Sequence, residues 1–405
     1  MQYTKGAADM ISKKMIELTK SNSVIRAMFE EGNRLAALHG RENVYDFSLG
    51  NPSIPSPAAV NDAIIEIVQE EDPISLHGYM SNVGYPAVRK AVADSLNENF
   101  GTSFNENNII MSAGAAGGLN VVLKTLINPG DEVIAISPFF VEYKNYVSNV
   151  DGELVIVPTT RFDFQPDPET VRKAISPKTK AIILNSPNNP TGVVYTEETI
   201  KHLALVLEEK SKEYGEPIYI ISDEPYRELV YDGVEVPFLT KYYKNTIICY
   251  SWSKSLSLPG QRIGYIVIPS EADDYELIFD AAGIATRILG YVNAPALMQR
   301  TVAQCLCEQT DIEAYDENRK LLYNGLKDLG FESAPPQGAF YLWVKTPGDD
   351  NEFVEAAKKH NILLVPGTAF TCPGYVRIAY CVSKKTIENA LPAFEKLAEE
   401  FGLSV

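Results

Sequence analysis

From about residue 107 to residue 269, short apolar runs alternate with segments of helical period, the pattern of strands and helices taken in turn. The runs at 108–111, 132–136, 181–184, 218–221, 246–250 and 264–268 have strand length, and 117–127, 168–175 and 197–214 between them read as helices. Strictly alternating elements predict a largely parallel sheet with helices on both faces, an α/β unit. Beyond residue 268 the pattern changes. Long amphipathic stretches at 280–312 and 313–329 lead to a hairpin-like segment at 331–345 around Pro335 and Pro336. A helix, two short strands at 362–366 and 375–380, and a closing helix at 384–401 complete a smaller α+β unit. Residues 1–45 are helical with polar interruptions and are expected to pack on that C-terminal unit.

Composition narrows the function. The 405 residues carry a net charge of -17 and no long run of Lys and Arg, so nucleic acid phosphates and anionic lipid surfaces would repel the chain. Small-molecule chemistry fits better. Five scattered cysteines read as reduced thiols, and the four histidines show no ligand spacing, so no metal is expected. No apolar run reaches the roughly 20 residues a membrane helix needs, and the first 20 residues lack the apolar core of a signal peptide, which predicts a cytoplasmic protein.

In doubly wound sheets, ligands lie beyond the carboxyl ends of the strands, and polar candidates recur there. The 246–250 strand runs into Ser251-Trp252-Ser253-Lys254, with Arg262 eight residues beyond the lysine. A lysine amine forms a Schiff base with an aldehyde, and hydroxyls with an arginine hold phosphate, which points to pyridoxal 5'-phosphate (PLP). The 108–111 strand leads into Ser112-Ala113-Gly114-Ala115-Ala116-Gly117-Gly118, a small-residue turn opening a helix whose free N–H groups favour phosphate. Simple packing of a helix start would also explain it. Phe140, after the 132–136 strand, offers a ring to stack on a planar cofactor or to fill a core. Asn189 sits in the proline-stiffened turn after 181–184, where a rigid amide can donate to a cofactor oxygen. Asp223, at the tip of 218–221, either pairs with a pyridinium nitrogen or caps a helix.

Taken in order, Gly50-Asn51-Pro52, Tyr79-x4-Gly84-x4-Arg89, Gly114-Ala115, Asn185-x-Pro187-x-Asn189-Pro190-Thr191-Gly192, Asp223-Glu224-x-Tyr226, Ser251-x-Ser253-Lys254-x7-Arg262-x-Gly264 and Arg377 form a specific series running nearly end to end. In this the chain resembles the class I/II aminotransferases of the aspartate-aminotransferase-like fold type I. The resemblance implies a PLP-transferase fold, with a large, mainly parallel doubly wound domain at 49–295 and a small α+β domain from 1–48 and 296–405. It implies that Lys254 holds PLP as a Schiff base, that Asp223 pairs with its ring nitrogen and that Phe140 stacks on its ring. Asn189 and Tyr226 would donate to the cofactor's phenolic oxygen. Gly114, Ala115 and Ala116 through their backbone, with Ser251, Ser253 and Arg262, would form the phosphate cup. Tyr79 would reach the phosphate of a neighbouring subunit, which implies a homodimer with shared sites. Arg377 would clamp the substrate carboxylate, Gly50 closing over it.

The activity this implies is transfer of an amino group from an L-amino acid to a 2-oxo acid such as 2-oxoglutarate, in the cytoplasm. Lys254 would move the α-proton. An aspartate-type donor needs a second cation, and Arg287 is the nearest candidate. A C–S β-lyase on the same fold would share every cofactor contact and remains the alternative. A dinucleotide oxidoreductase is disfavoured, because no strand is followed by G-x-G-x-x-G with a downstream acid. Lys254, Asp223 and Arg377 together argue against a non-catalytic binding protein.

Overall fold

A computed structural model describes residues 11–20, 24–159 and 161–403. Twelve strands arise within it: β1 (Tyr45–Asp46), β2 (Ile109–Ser112), β3 (Glu132–Ser137), β4 (Glu153–Pro158), β5 (Thr179–Asn185), β6 (Tyr219–Asp223), β7 (Thr246–Ser251), β8 (Gly264–Val267), β9 (Tyr341–Lys345), β10 (Ile362–Leu363), β11 (Val365–Pro366) and β12 (Tyr375–Ala379). Seven of them form one sheet in the order β2-β8-β7-β6-β5-β3-β4. Only β8 runs antiparallel to its neighbours, so β3, β5, β6 and β7 finish at the same edge of the sheet. The central strands are apolar on both faces because helices cover both. Ile134 and Ile182 belong to one buried cluster, Val133 and Ala181 to another.

The predicted strands and the helices Gly114–Leu126, Pro168–Ala174 and Glu197–Tyr214 are found with bounds shifted by at most a few residues. Four expectations need correction. The edge strand β4 was not anticipated; its Leu154-Val155-Ile156-Val157 run pairs with β3 alone. The stretch 280–312 is not continuous: helices Tyr275–Ile288 and Ala296–Gln304 are separated by Gly290 (φ 87°), Val292 (φ 64°) and Pro295, which the helical backbone cannot absorb. The hairpin at 331–345 reduces to β9 and one bridge from Ser333 to Val344, since Pro335 and Pro336 have no N–H for a ladder. The run 362–366 is split at Leu364. Its first half, β10, pairs in parallel with β1, and its second half, β11, belongs to the sheet β11-β12-β9.

That second sheet packs with helices Ile312–Asp328, Asp350–Lys359 and Lys384–Glu400 around Phe340, Phe353 and Phe394. Of the N-terminal region, Leu35 and Val44 pack on Leu363, whereas Lys14 reaches the carbonyl of Ser148 in the first unit.

Candidate active site

Parallel strands deliver Ser137, Asn185, Asp223 and Ser251 to one edge of the large sheet, and the chemistry gathers there. Asp223, the last residue of β6, is buried. Its Oδ2 accepts a 2.6 Å hydrogen bond from the Tyr143 hydroxyl, while Oδ1 has no partner. Burial lifts its pKa to about 7, the Tyr143 bond opposing and the neighbouring Glu224 adding to the rise. A buried carboxylate with one oxygen held and one orphaned is prepared for a cation. Asn185 braces the turn that follows β5. Its amide donates to the Asp223 carbonyl at 2.9 Å, and its oxygen accepts from the Asn189 N–H at 2.7 Å.

At the end of β7 the Ser251 side chain caps the short helix Trp252–Ser255, accepting from the Ser253 N–H. This turn presents Lys254, whose Nζ donates to the Gly50 carbonyl at 2.7 Å and lies over the rings of Phe340 and Tyr226. Burial lowers its pKa to about 8, with Cys381 opposing and the cations of Arg377 and Arg262 adding to the fall. An amine so depressed is available as a nucleophile and base near neutral pH.

The small-residue turn meets the arginine. Gly114 has φ 72°, and a β-carbon there would lie 2.8 Å from Nη2 of Arg262, so glycine is required for both the backbone and the close approach. Arg262 donates to the carbonyls of Ala113 and Pro259 and, being exposed, retains further N–H groups. Ala115 and Ala116 begin the helix whose unpaired N–H groups point the same way. The hydroxyls of Ser251 and Ser253 lie 2.6 Å apart, with Ser251 also bonded to the Ile263 carbonyl. Three separated segments, 113–116, 251–253 and Arg262, thus converge, and their free donors suit an anion.

On the facing side, β12 carries Arg377, 2% exposed. Its Nη1 donates to Asn189 Oδ1 at 3.1 Å and its Nη2 to the Ser48 carbonyl at 2.6 Å, while Nε has no partner. An arginine only donates, so Asn189 must present its oxygen there and leaves its NH₂ free. The guanidinium is stacked on Tyr341 at 4.6 Å and Phe370 at 5.0 Å. Phe140 is half-buried and meets Tyr143 edge-on at 5.7 Å. Tyr79 stands apart from all of these: it is 91% exposed and has no hydrogen bond among the described residues.

The family of proteins described as aminotransferase class I and II matches residues 42–394. This chain belongs to that family. The aminotransferase is 49% identical to an amino transferase of Eubacterium rectale whose structure superposes with a TM-score of 0.95, covering 96% of this chain and 99% of that one. It is 32% identical over 359 residues to the aspartate/prephenate aminotransferase of Thermus thermophilus, covering 86% of this chain and 89% of the relative. A solved structure of Thermus thermophilus aspartate aminotransferase with maleate, 27% identical, superposes with a TM-score of 0.82 over 98% of this chain and 100% of the other. The aminotransferase therefore has the α/β PLP-transferase fold and is PLP-dependent.

Its own residues fit that cofactor: the orphaned Asp223 Oδ1 suits a protonated ring nitrogen, the glycine-lined concavity suits phosphate, and Lys254 suits an aldehyde. Tyr143 and Tyr341 were missed in the sequence, and Asn185, though part of the quoted series, was given no role there. Tyr143 sits three residues after Phe140, within the same aromatic segment, and only its bond to Asp223 separates it from a packing residue. Tyr341 opens a strand after Gly338-Ala339-Phe340, where the expected hairpin concealed that the site lay beside it.

Proposed function

We propose that this aminotransferase takes an aspartate-type L-amino acid as donor and a 2-oxo acid such as 2-oxoglutarate as acceptor. The observation carrying the reading is Arg377, a buried arginine fixed by Asn189 and Ser48 with one N–H direction unused. A substrate carboxylate is the partner such a cation lacks. When bound, PLP supplies the electron sink for carbanion chemistry. Lys254, with its depressed pKa, would take the α-proton and return it once the amino acid has displaced it from the cofactor, and the Gly50 carbonyl is placed to hold the amine while it is free. Asp223 keeps the ring nitrogen protonated, Phe140 covers the ring, and Tyr226 and Asn189 donate to its phenolic oxygen. Gly114, Ala115, Ala116, Ser251, Ser253 and Arg262 hold the phosphate.

A homodimer with shared sites belongs to the same reading. Ile74, Tyr79, Ile284 and Ile288 are all exposed, and the loop carrying Tyr79 is tied to the turn that follows helix Tyr275–Ile288 by Asn82, which donates to the Val292 carbonyl. Arg287 lies in that surface, exposed and without an ion pair among the described residues, which supports reading it as the second cation for a dicarboxylate. Domain bounds of 49–295 for the large unit, with 1–48 and 296–405 for the small one, and a cytoplasmic location complete the proposal; among the described residues no helix is long and apolar enough to cross a membrane. The dicarboxylate preference draws support from the maleate-bound Thermus thermophilus relative.

The test is a series of half-reactions, following the absorbance of the loaded enzyme as single amino acids are added without acceptor. Aspartate should bleach the visible band and 2-oxoglutarate restore it. Arg287→Ala should raise KM for aspartate about tenfold or more and leave that for leucine unchanged; equal effects would remove Arg287 from the site. Pyruvate formed from cystathionine without acceptor would favour the lyase.

A further inference from the structure

Tyr341 is the first residue of β9 and is 2% exposed, with its hydroxyl among the polar groups of the site. That hydroxyl lies 3.0 Å from the hydroxyl of Tyr226, and among the described residues neither phenol has another hydrogen-bond partner. Register explains how Tyr341 comes to touch the clamp as well. Tyr341 pairs with Ala379 and Trp343 with Arg377, so Tyr341 and Arg377 are diagonal neighbours on one face of the small sheet. The guanidinium accordingly lies over the Tyr341 ring at 4.6 Å. The third contact is with Gly50. A β-carbon there would fall inside the Tyr341 hydroxyl and 2.8 Å from its Cζ, so no larger residue fits while this tyrosine holds its place.

We propose that Tyr341 is a positioning residue which donates its proton to Tyr226 and thereby commits the Tyr226 proton to the cofactor's phenolic oxygen, while its ring and hydroxyl impose glycine at position 50. The role rests on the reading of Tyr226 as that oxygen's donor. Two hydroxyls facing one another can share either proton, and the asymmetry of their surroundings decides which. Burial raises the Tyr341 phenol to about 12, with the adjacent Arg377 cation opposing the rise. Tyr226 is pushed well above the ordinary phenol value, chiefly by burial and then by Tyr341 itself. The Arg377 guanidinium stacked on the Tyr341 ring at 4.6 Å draws electron density from that phenol and makes it the better donor, so the proton between them comes from Tyr341. A hydroxyl that accepts one hydrogen bond donates its own more strongly.

The two variants Tyr341→Phe and Tyr226→Phe of the loaded enzyme decide the matter through a pH titration of the cofactor's visible absorbance. A donor to the phenolic oxygen stabilises its charged form and loosens the proton on the chromophore, so losing that donor moves the midpoint upward. Tyr226→Phe should move it by roughly one to two pH units, and Tyr341→Phe in the same direction by about half a unit, because it weakens the donor without removing it. A Tyr341→Phe midpoint equal to wild type, beside a shifted Tyr226→Phe midpoint, overturns the role of Tyr341 alone. Midpoints unmoved in both variants overturn the reading of Tyr226 as well. The steric half is tested separately by cofactor retention on gel filtration. Gly50→Ala should lose PLP in the wild-type background and regain part of it when combined with Tyr341→Ala; additive losses overturn the claim that Tyr341 dictates the glycine.

Discussion

Asp223 and Glu224 are consecutive, acidic and buried, yet the chain treats them in opposite ways. Both oxygens of Glu224 are occupied by protein, Oε1 by the Ser222 hydroxyl at 2.7 Å and Oε2 by Arg227 Nη1 at 3.0 Å. Arg227 in turn donates to the Tyr265 hydroxyl at 2.6 Å and lies against the rings of Tyr250, Phe100 and Phe238. Next door, Asp223 has one oxygen held by Tyr143 and the other unpartnered. Charge and burial are common to both, so neither marks a functional acid. What separates them is whether the protein completes the hydrogen bonding itself or leaves a place for something else to do so.

The sharpest way to break this comparison is Asp223→Asn. In the loaded enzyme kcat should fall about 10³-fold, as when a preorganised charge is removed from a reacting centre. In the cofactor-free protein the same change should stabilise. A rise from the ordinary 3.8 to about 7 corresponds to about 4 kcal/mol at most for keeping the carboxylate charged in its buried site. The sign follows from linkage: the folded chain holds this proton more tightly than the unfolded one, so wild-type stability declines as pH rises from about 4 to about 7, then levels off. Urea unfolding of both cofactor-free proteins across that range should show the slope in wild type and a smaller one in Asp223→Asn. Arg227→Met should do the reverse. It strands Glu224 without its cation, costing roughly 3–5 kcal/mol of stability, while the folded fraction keeps kcat within about threefold. If the two variants behave alike, the division between a structural and a functional acid fails.

Tyr143→Phe gives the smallest effect and sharpens the contrast most finely. It deletes the one hydrogen bond among the described residues to the Asp223 carboxylate, which on the proposed pairing would then draw the shared proton away from the ring nitrogen; kcat should drop about tenfold. A ¹⁵N shift of ring-labelled PLP moving toward the unprotonated range would confirm that cause, whereas an unchanged shift would assign Tyr143 to packing against Phe140.

The residues legible in the sequence are those whose chemistry is local. Lys254, Asp223 and Asn189 each lie within five residues of the end of an apolar run, so period and turn chemistry located them near strand ends. Tyr143 and Tyr341 act through partners 80 and 115 residues away in the chain, Asp223 and Tyr226, and an aromatic in an apolar segment looks the same in sequence whether its hydroxyl is used or not. The same limit governs the fold. Helix Glu197–Tyr214 was legible to the residue because Thr196 caps it and Gly215 ends it. The separation of β10 from β11 was not, because five apolar residues in a row do not say which of two sheets each will join.

The hydrogen bond from Arg377 to the Ser48 carbonyl spans 329 residues. A ribosome working from the N-terminus releases Asp223 and Lys254 well before the strand that carries Arg377, so a growing chain owns its buried acid and its lysine while still lacking the proposed carboxylate clamp. Contacts so distant along the chain are the slowest to close. Arg377 is therefore the last of these groups to be synthesised, and any chain cut short before β12 would carry Lys254 without the proposed clamp and without the cation that helps to lower its pKa.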